Sequence, residues 1–128
     1  MTLAHFERFC DLGEKRGFVF ASNIDREYGA AFYILSCTPE LTKMSMKYVT
    51  DVGIEFPKML RKETFGSSTR ILVNAAWNLF NGAGGRSLTP LAFCRDIDRD
   101  MFEVIITAMR IRRYGLDFVN IEGVDDCE

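Results

Sequence analysis

Two segments of the chain carry apolar side chains around most of a helical circumference, and this limits the folds that the chain can adopt. At about 100° per residue, residues 67–81 place on one broad face Leu72, Ala75, Ala76, Leu79 and Phe80. Residues 99–114 leave one narrow polar stripe, which consists of Glu103, Thr107, Arg110 and Tyr114. A helix that is apolar around most of its circumference must pack against other elements on most of its sides. We therefore predict that these two helices form the core pair and that the N-terminal helices pack around them.

Capping residues mark the starts of three further helical elements. Thr38 and Thr89 are each followed by a proline, Pro39 and Pro90, a combination typical of an N-cap and the first helical position. Asp98 is the predicted N-cap of the last long helix. The sequence therefore predicts where each of these helices begins.

Amphipathic spacing predicts two helices at the N-terminal end of the chain, over residues 2–17 and 26–36. Asp25 is the expected cap of the second one, and Ser67 or Ser68 is the expected cap of the fourth helix. Glycines should end three of the helices, namely Gly17, Gly82 and Gly115, and Gly82 is expected at the left-handed position that follows a helix.

These elements predict a mostly α protein. We expect a single compact helical domain of about five to six helices over residues 1–122, followed by an acidic C-terminal tail at residues 123–128. One turn of helix is expected around residues 58–62 within an otherwise irregular connection. The alternating pattern of residues 116–121 leaves two alternatives open, a small two-stranded ribbon with residues 18–21 or a docked coil.

The charge of the chain limits its partners. Sixteen basic and eighteen acidic side chains among 128 residues give a formal net charge of −2. This provides no general positive field that would attract nucleic acid or anionic lipid. The apolar runs are far shorter than the roughly 20 residues of a transmembrane helix, and the N-terminal stretch MTLAHFERF lacks the apolar region of a signal peptide. We therefore expect a cytoplasmic protein that does not bind membranes.

The cysteines show no metal-binding or disulfide pattern. They are widely separated along the chain, and His5 is the single histidine that could join them, so no zinc spacing is present. Reduced thiols are favoured over two disulfides, because a chain with a hydrophobic core and no secretion signal does not need covalent links. The four cysteines are Cys10, Cys37, Cys94 and Cys127.

A partial calcium-loop motif is rejected. Asp96, Asp98 and Asp100 imitate the start of such a loop, but Met101 and Thr107 stand where it requires a glycine and a bidentate glutamate. Acidic residues at a helix N-terminus explain the run better. We expect no bound metal.

Other catalytic patterns are also incomplete. The stretch FNGAGGRS lacks the lysine and the preceding strand of a phosphate loop. His5 has no oriented third group, and neither Ser67 nor Cys94 has a base at a recognisable spacing. The sequence therefore predicts a protein that is not an enzyme and has no cofactor.

The stretch RILVNAAWNLFNG forms a polar strip along the fourth helix. Three asparagines in register are unusual on a solvated helix face, where lysine, glutamate or glutamine has a higher helix propensity. One interpretation is that the amides satisfy carbonyls within the fold while the tryptophan packs in the core. The other is a partner-binding strip made of Arg70, Asn74, Trp77, Asn78 and Asn81.

The last long helix carries the densest basic group of the chain, which provides an alternative hypothesis. Arg110, Arg112 and Arg113 could contact phosphates in a small nucleic-acid-binding regulator. Acidic residues interleave with the basic ones in this part of the chain, however, and this favours a salt-bridged surface. Nucleic acid is thus the second choice of partner.

The pattern DREYGAAFYIL, TK, GI, FGSSTRILVNAAWNLFNG and SLTPLAFC, from Asp25 to about Ile111, resembles a family of small proteins encoded in bacteriophage, prophage and other mobile-element genomes. Its most specific pieces are residues 66–68 and 78–82. The chain departs from the family pattern at Phe65 and by the tryptophan within the helix motif. The family has no established function, so the resemblance implies a phage-type accessory protein and no functional residues.

These observations lead to one functional hypothesis. We expect a non-catalytic phage-type accessory protein that binds a host protein. One possible role is to inhibit a host defence nuclease, in the manner of anti-CRISPR proteins. The alternative remains the small nucleic-acid-binding regulator.

Overall fold

The computed structural model describes residues 1–116. Within them the chain forms seven α-helices: α1 (Leu3–Arg16), α2 (Arg26–Leu35), α3 (Pro39–Met46), α4 (Phe56–Lys62), α5 (Ser67–Asn81), α6 (Pro90–Arg95) and α7 (Arg99–Tyr114). Two short 3-10 turns precede α2 and α6. The prediction of a single, mostly helical domain is confirmed. The helices exceed the expected five to six, because the predicted helical turn around residues 58–62 is a full element, α4. The expected domain boundary at residue 122 lies outside the described residues.

The three side-chain caps that start α3, α6 and α7 are confirmed. The side chains of Thr38, Thr89 and Asp98 accept hydrogen bonds from the backbone N–H three residues further on, at 2.8 to 3.1 Å. Gly17 and Gly82 have positive φ angles of 113° and 84° at the ends of α1 and α5, as predicted. The helix starts and ends in this part of the chain therefore follow local sequence signals.

The two other predicted caps have different outcomes. Asp25 is the N-cap residue of α2, as predicted, but its side chain makes no capping hydrogen bond. Helix α5 begins at Ser67 itself and has Gly66 as its N-cap residue, so neither Ser67 nor Ser68 caps it. Glycine is an acceptable N-cap because it adopts the required extended conformation without a side chain.

The centre of the fold is α2, which corrects the predicted core pair. Every residue of α2 from Tyr28 to Leu35 is buried, and the helix lies against both α5 and α7. Contact between α5 and α7 is much less extensive. The prediction that α7 is nearly engulfed is wrong, since its buried residues are Ile105, Ala108 and Ile111. The prediction was wrong because it assigned the apolar residues on the outer side of α7 to the core.

The predicted ribbon is not present in the described part of the chain. Residues 19–20 form a bend, residue 21 begins the 3-10 turn, and no strand occurs within residues 1–116. The N–H of Phe18 donates to the carbonyl of Gly13 as part of the α1 end, which leaves this segment poorly placed for a ladder. The ring of Phe18 instead packs edge-on against Tyr28 at 5.4 Å. Residues 117–121, the other half of the proposed ribbon, lie outside the described residues.

Cationic side chains from distant parts of the sequence donate hydrogen bonds to carbonyls at the carboxyl ends of four helices. The carbonyls at the end of a helix have no partner within that helix, so these hydrogen bonds satisfy them. They run, at 2.6 to 3.2 Å, from Arg8 to the carbonyls of Ser36 and Cys37, from Lys15 to that of Met46, from Arg26 to that of Arg113, and from Arg112 to that of Leu79. None of the helices within residues 1–116 is long and apolar enough to cross a bilayer.

Candidate partner-binding surface

The predicted polar strip lies along one side of α5, and its amides are engaged within the fold. Asn74 Nδ2 donates to the carbonyl of Arg70 at 3.1 Å, and Asn78 Nδ2 donates to that of Gly82 at 3.2 Å. Asn81 Oδ1 accepts from the N–H of Ala83 at 3.0 Å. The asparagines thus hold α5 and the turn that follows it. This geometry favours the internal interpretation, and the partner-binding role of the strip stays a prediction.

The tryptophan of the strip is a packing residue. Its indole is half-buried and stacks on Phe56 of α4 with 6.1 Å between ring centroids and 16° between planes. Gly84 approaches the same indole so closely that a Cβ there would lie 2.6 Å from Cε3 of Trp77. Trp77 therefore fastens α4 and the turn after α5 to the domain.

The three arginines of the alternative site do not share one face of α7. All three are exposed, but Arg110 and Arg112 point about 160° apart around the helix. Arg112 Nε donates to the carbonyl of Leu79 at 2.9 Å, and the guanidinium of Arg113 lies 5.6 Å from the ring centroid of Tyr114. The three arginines therefore do not form a continuous stripe that could contact the phosphates of a nucleic acid.

Potential catalytic groups are held in structural roles. The buried ring of His5 lies with Nε2 2.9 Å from the carbonyl of Tyr33, and burial lowers the pKa of His5. Burial raises the pKa of the Cys37 thiol to about 11, so this thiol is protonated at neutral pH. A hydrogen bond from the Tyr48 hydroxyl to Glu63 lowers the pKa of that carboxylate and raises that of Tyr48.

The cysteines are free thiols where the structure describes them. Cys10 and Cys37 are partly buried and Cys94 is exposed. Cys127 lies outside the described residues. Residues 1–116 contain no group of three or more histidine, cysteine, aspartate or glutamate side chains that could hold a metal ion.

An apolar furrow between α6 and α7 is the feature that sequence reasoning missed. A hollow of about 290 Å³ is lined by Phe93, Cys94, Ile97, Asp98, Arg99 and Phe102. A second hollow, of about 120 Å³, shares Phe93 and is lined mainly by Leu79, Leu88, Ile105 and Met109. We call these two adjoining hollows the α6–α7 furrow. Asn78 of the predicted strip also lines the second hollow.

Apolar side chains around the furrow are unusually exposed. Met109 on α7, which lines the second hollow, is 46% exposed, and Leu91 on α6, which lines neither hollow, is 59% exposed. Phe102, Ile106 and Met109 follow each other at spacings of four and three, so they form one stripe along α7. Phe102 and Ile106 are half-buried. That spacing was visible in the sequence, but it was assigned to the core.

A second exposed apolar group lies in the loops beside the carboxyl end of α1. Val19 and Phe20 are 82% and 65% exposed, and Val52 is 81% exposed. Arg16 connects these loops, because Nη1 donates to the carbonyl of Asp51 at 2.7 Å. None of the three apolar side chains lines the furrow, so they provide control positions for experiments on it.

Comparisons with protein-family models, with curated proteins and with solved structures gave no match. The resemblance to phage-encoded proteins and the host-protein partner therefore stay predictions. Functional inference for this chain depends on the geometry of its surface.

Proposed function

We propose that the protein acts without catalysis, by binding another protein through the α6–α7 furrow. The observation that carries this proposal is the furrow itself, an apolar surface that includes the half-exposed Met109. Contiguous apolar surface rimmed by polar residues is typical of protein interaction sites. The furrow replaces the polar strip of α5 as the preferred partner surface, because the amides of that strip already have partners.

A second support comes from the distribution of apolar residues between the core and the surface. The core formed around α2 is complete without the outer side of α7, since α7 contributes Ile105, Ala108 and Ile111 to it. The exposed Met109 therefore adds little to folding. Exposed side chains of this kind gain stabilisation when a partner covers them.

The partner class follows from the resemblance alone. A phage-type accessory protein would bind a host protein, and a defence nuclease is one candidate, as in anti-CRISPR proteins. The furrow is compatible with any protein partner that offers a complementary apolar segment. The nucleic-acid alternative is less favoured, because the arginines of α7 point in different directions.

Site-specific photo-crosslinking in bacterial cells tests the proposal. A photo-reactive phenylalanine analogue is placed at Met109 in the furrow, at Asn74 in the strip or at Phe20 in the control loop. We expect a crosslinked host protein, identified by mass spectrometry, from position 109 and not from position 20. Crosslinks from position 74 alone would move the interface to the strip. Absence of any crosslink from position 109 would contradict the proposal.

A further inference from the structure

A cationic face is formed by the exposed side of α4 together with the first turn of α5. Its cations are Lys58, Arg61, Lys62 and Arg70, and we call it the α4–α5 basic face. We propose that the α4–α5 basic face binds the phosphate backbone of a nucleic acid. This is a second surface, separate from the α6–α7 furrow, and it does not depend on the proposed function.

The exposed side of α4 consists of cations and one proline. The helix buries Phe56 and Met59 against the rest of the domain. Its exposed residues are Pro57, Lys58, Arg61 and Lys62. At about 100° per residue, the three cations point within an arc of about 100° around the helix axis. They therefore share one face of α4, unlike the arginines of α7.

Arg70 of α5 extends this cationic face. The ring of Phe56, at the start of α4, stacks on Trp77 in the second half of α5, and residues 63–66 join the end of α4 to the start of α5. The end of α4 and the start of α5 therefore lie at the same end of the helix pair. Arg70 points within about 20° of Trp77 and lies about 10 Å from it along α5. This places Arg70 beside the last turn of α4.

The acidic residues on either side of α4 are paired. Glu55 lies 3.8 Å from Lys58, so these two charges offset each other. Glu63 accepts a hydrogen bond from Tyr48, which lowers the pKa of this carboxylate, and it lies 3.5 Å from Lys47. The negative charge of Glu63 is thus offset by a lysine that lies outside the α4–α5 basic face.

Three cations of the face have no counter-ion in the described part of the chain. Arg61, Lys62 and Arg70 make no ion pair with any of residues 1–116. The first turn of α5 also contains no acidic residue. The next acidic residue back along the chain from Glu55 is Asp51, and it belongs to a turn that Arg16 of α1 contacts. The α4–α5 basic face therefore has an excess of positive charge.

The net charge of the whole chain conceals this excess. All sixteen basic residues lie within residues 1–116, together with thirteen of the eighteen acidic ones, which gives this part a formal net charge of +3. Residues 117–128 contain five acidic residues and no basic one. The value of −2, from which we expected no general positive field, therefore does not describe the charge of residues 1–116.

The composition of the face favours a nucleic-acid backbone over a protein or a membrane. None of the large apolar side chains that are exposed within residues 1–116 belongs to residues 56–70. Protein interfaces have an apolar centre, and membrane-binding surfaces insert apolar side chains. Phosphates require only cations and hydrogen-bond donors, and the exposed hydroxyls of Thr64 and Ser67 add donors between the two helices.

The α4–α5 basic face and the α6–α7 furrow lie on opposite sides of α5. Leu79, which lines the furrow, points about 180° away from Arg70 around the helix axis. A protein in the furrow would therefore leave the basic face open to a nucleic acid.

Binding of labelled DNA to the whole chain tests the inference. The probe is a duplex of mixed sequence with about 20 base pairs, and fluorescence anisotropy at about 50 mM NaCl should show micromolar affinity. The logarithm of the association constant should fall linearly with the logarithm of the salt concentration. We expect a slope of about −3, because each neutralised phosphate contributes about −0.9 and the face offers three to four cations.

Removal of cations from two helices provides the matched comparison. Arg61→Gln combined with Lys62→Gln should weaken binding about tenfold and reduce the salt slope by about 1 for each charge removed. Arg70→Gln alone should reduce the slope by about 1. Glutamine has a helix propensity similar to that of arginine and lysine, so the circular dichroism spectrum should not change. Arg110→Gln combined with Arg113→Gln removes the same charge from exposed positions of α7 and should leave the slope unchanged.

Four results would overturn the inference. They are no binding of the duplex, an equal or larger loss of binding from the α7 substitutions, tighter binding to vesicles that contain anionic lipid than to DNA, and displacement of the DNA by an equal charge of polyglutamate. The last two would indicate a membrane and an acidic protein as the occupant. A crosslink from position 109 to a host protein would still support the proposed function in each case.

Discussion

Helices α2 and α7 are both rich in apolar residues, but the fold treats them differently. Helix α2 is buried continuously from Tyr28 to Leu35, whereas Ile105, Ala108 and Ile111 are the buried residues of α7. The remaining apolar residues of α7 lie at its outer side, where Met109 is 46% exposed. Apolar composition alone therefore does not distinguish a central helix from a peripheral one. These exposed apolar residues of α7 support the proposed partner surface.

The largest expected effect compares one phenylalanine in each helix. Phe32 in α2 is fully buried and packs edge-on against Phe9, so Phe32→Ala should lower the free energy of unfolding by about 3 to 5 kcal/mol. Phe102 in α7 is half-buried, and Phe102→Ala should cost about 1 kcal/mol or less. Urea denaturation followed by circular dichroism measures both values. Equal losses would mean that α7 is as much a part of the core as α2.

The next effect concerns α5, whose polar side packs against the turn that follows the helix. Gly84 has a positive φ of 71°, and a Cβ there would lie 2.6 Å from Trp77, so Gly84→Ala should destabilise by about 2 to 4 kcal/mol. Gly82 also has a positive φ but no atom within 4 Å of its Cβ position, so Gly82→Ala should cost about 1 kcal/mol. Thermal melting of the pair separates backbone strain from the contact with Trp77. Similar losses for both variants would show that Trp77 is not fixed against the turn.

A smaller effect compares two arginines that close helix ends. Arg8 makes two partly buried hydrogen bonds at the end of α2, and Arg8→Met should lower the free energy of unfolding by about 1 to 2 kcal/mol. Arg112 makes one exposed bond at the end of α5, and Arg112→Met should cost about 0.5 kcal/mol or less. Methionine keeps much of the aliphatic length in both cases. If denaturant titrations showed a larger loss of stability for Arg112→Met than for Arg8→Met, the central position of α2 would be contradicted.

The smallest effect is the pH dependence that His5 contributes at α2. The folded state lowers the pKa of His5 because the ring is buried, while the unfolded chain has a value near 6.5. Below about pH 6.5 the unfolded state therefore binds a proton that the folded state resists, and stability falls as the pH falls. Between about pH 7.5 and 5.5, the melting temperature should drop more in the wild type than in His5→Gln. Equal drops in melting temperature for the wild type and His5→Gln would show that His5 has the same pKa in the folded and unfolded states.

Local signals in the sequence predicted most of the helix boundaries. Thr38, Thr89 and Asp98 act through hydrogen bonds to residues three positions away, so their role is readable without knowledge of the fold. The ribbon, one of two alternatives for the segment around Phe18, did not form there, and the ring of Phe18 packs on Tyr28.

The central helix and the furrow could not be predicted in the same way. Glycine is unfavourable inside a helix, yet a Cβ on Gly29 of α2 would lie 3.2 Å from Cγ2 of Ile111, so the glycine allows α7 to approach closely. The stripe from Phe102 to Met109 has the same spacing as a core stripe. Only the arrangement of all helices shows which apolar stripe remains uncovered.

The arginine and lysine bonds at the helix ends have a consequence for the way the molecule comes apart. The last turns of α2, α3, α5 and α7 are each held by a side chain 28 to 87 residues away in sequence. When one helix detaches, the end of another helix therefore loses the arginine or lysine that donates to its carbonyls. We expect the amide protons of these last turns to exchange with solvent mainly through global opening and not through separate local fraying.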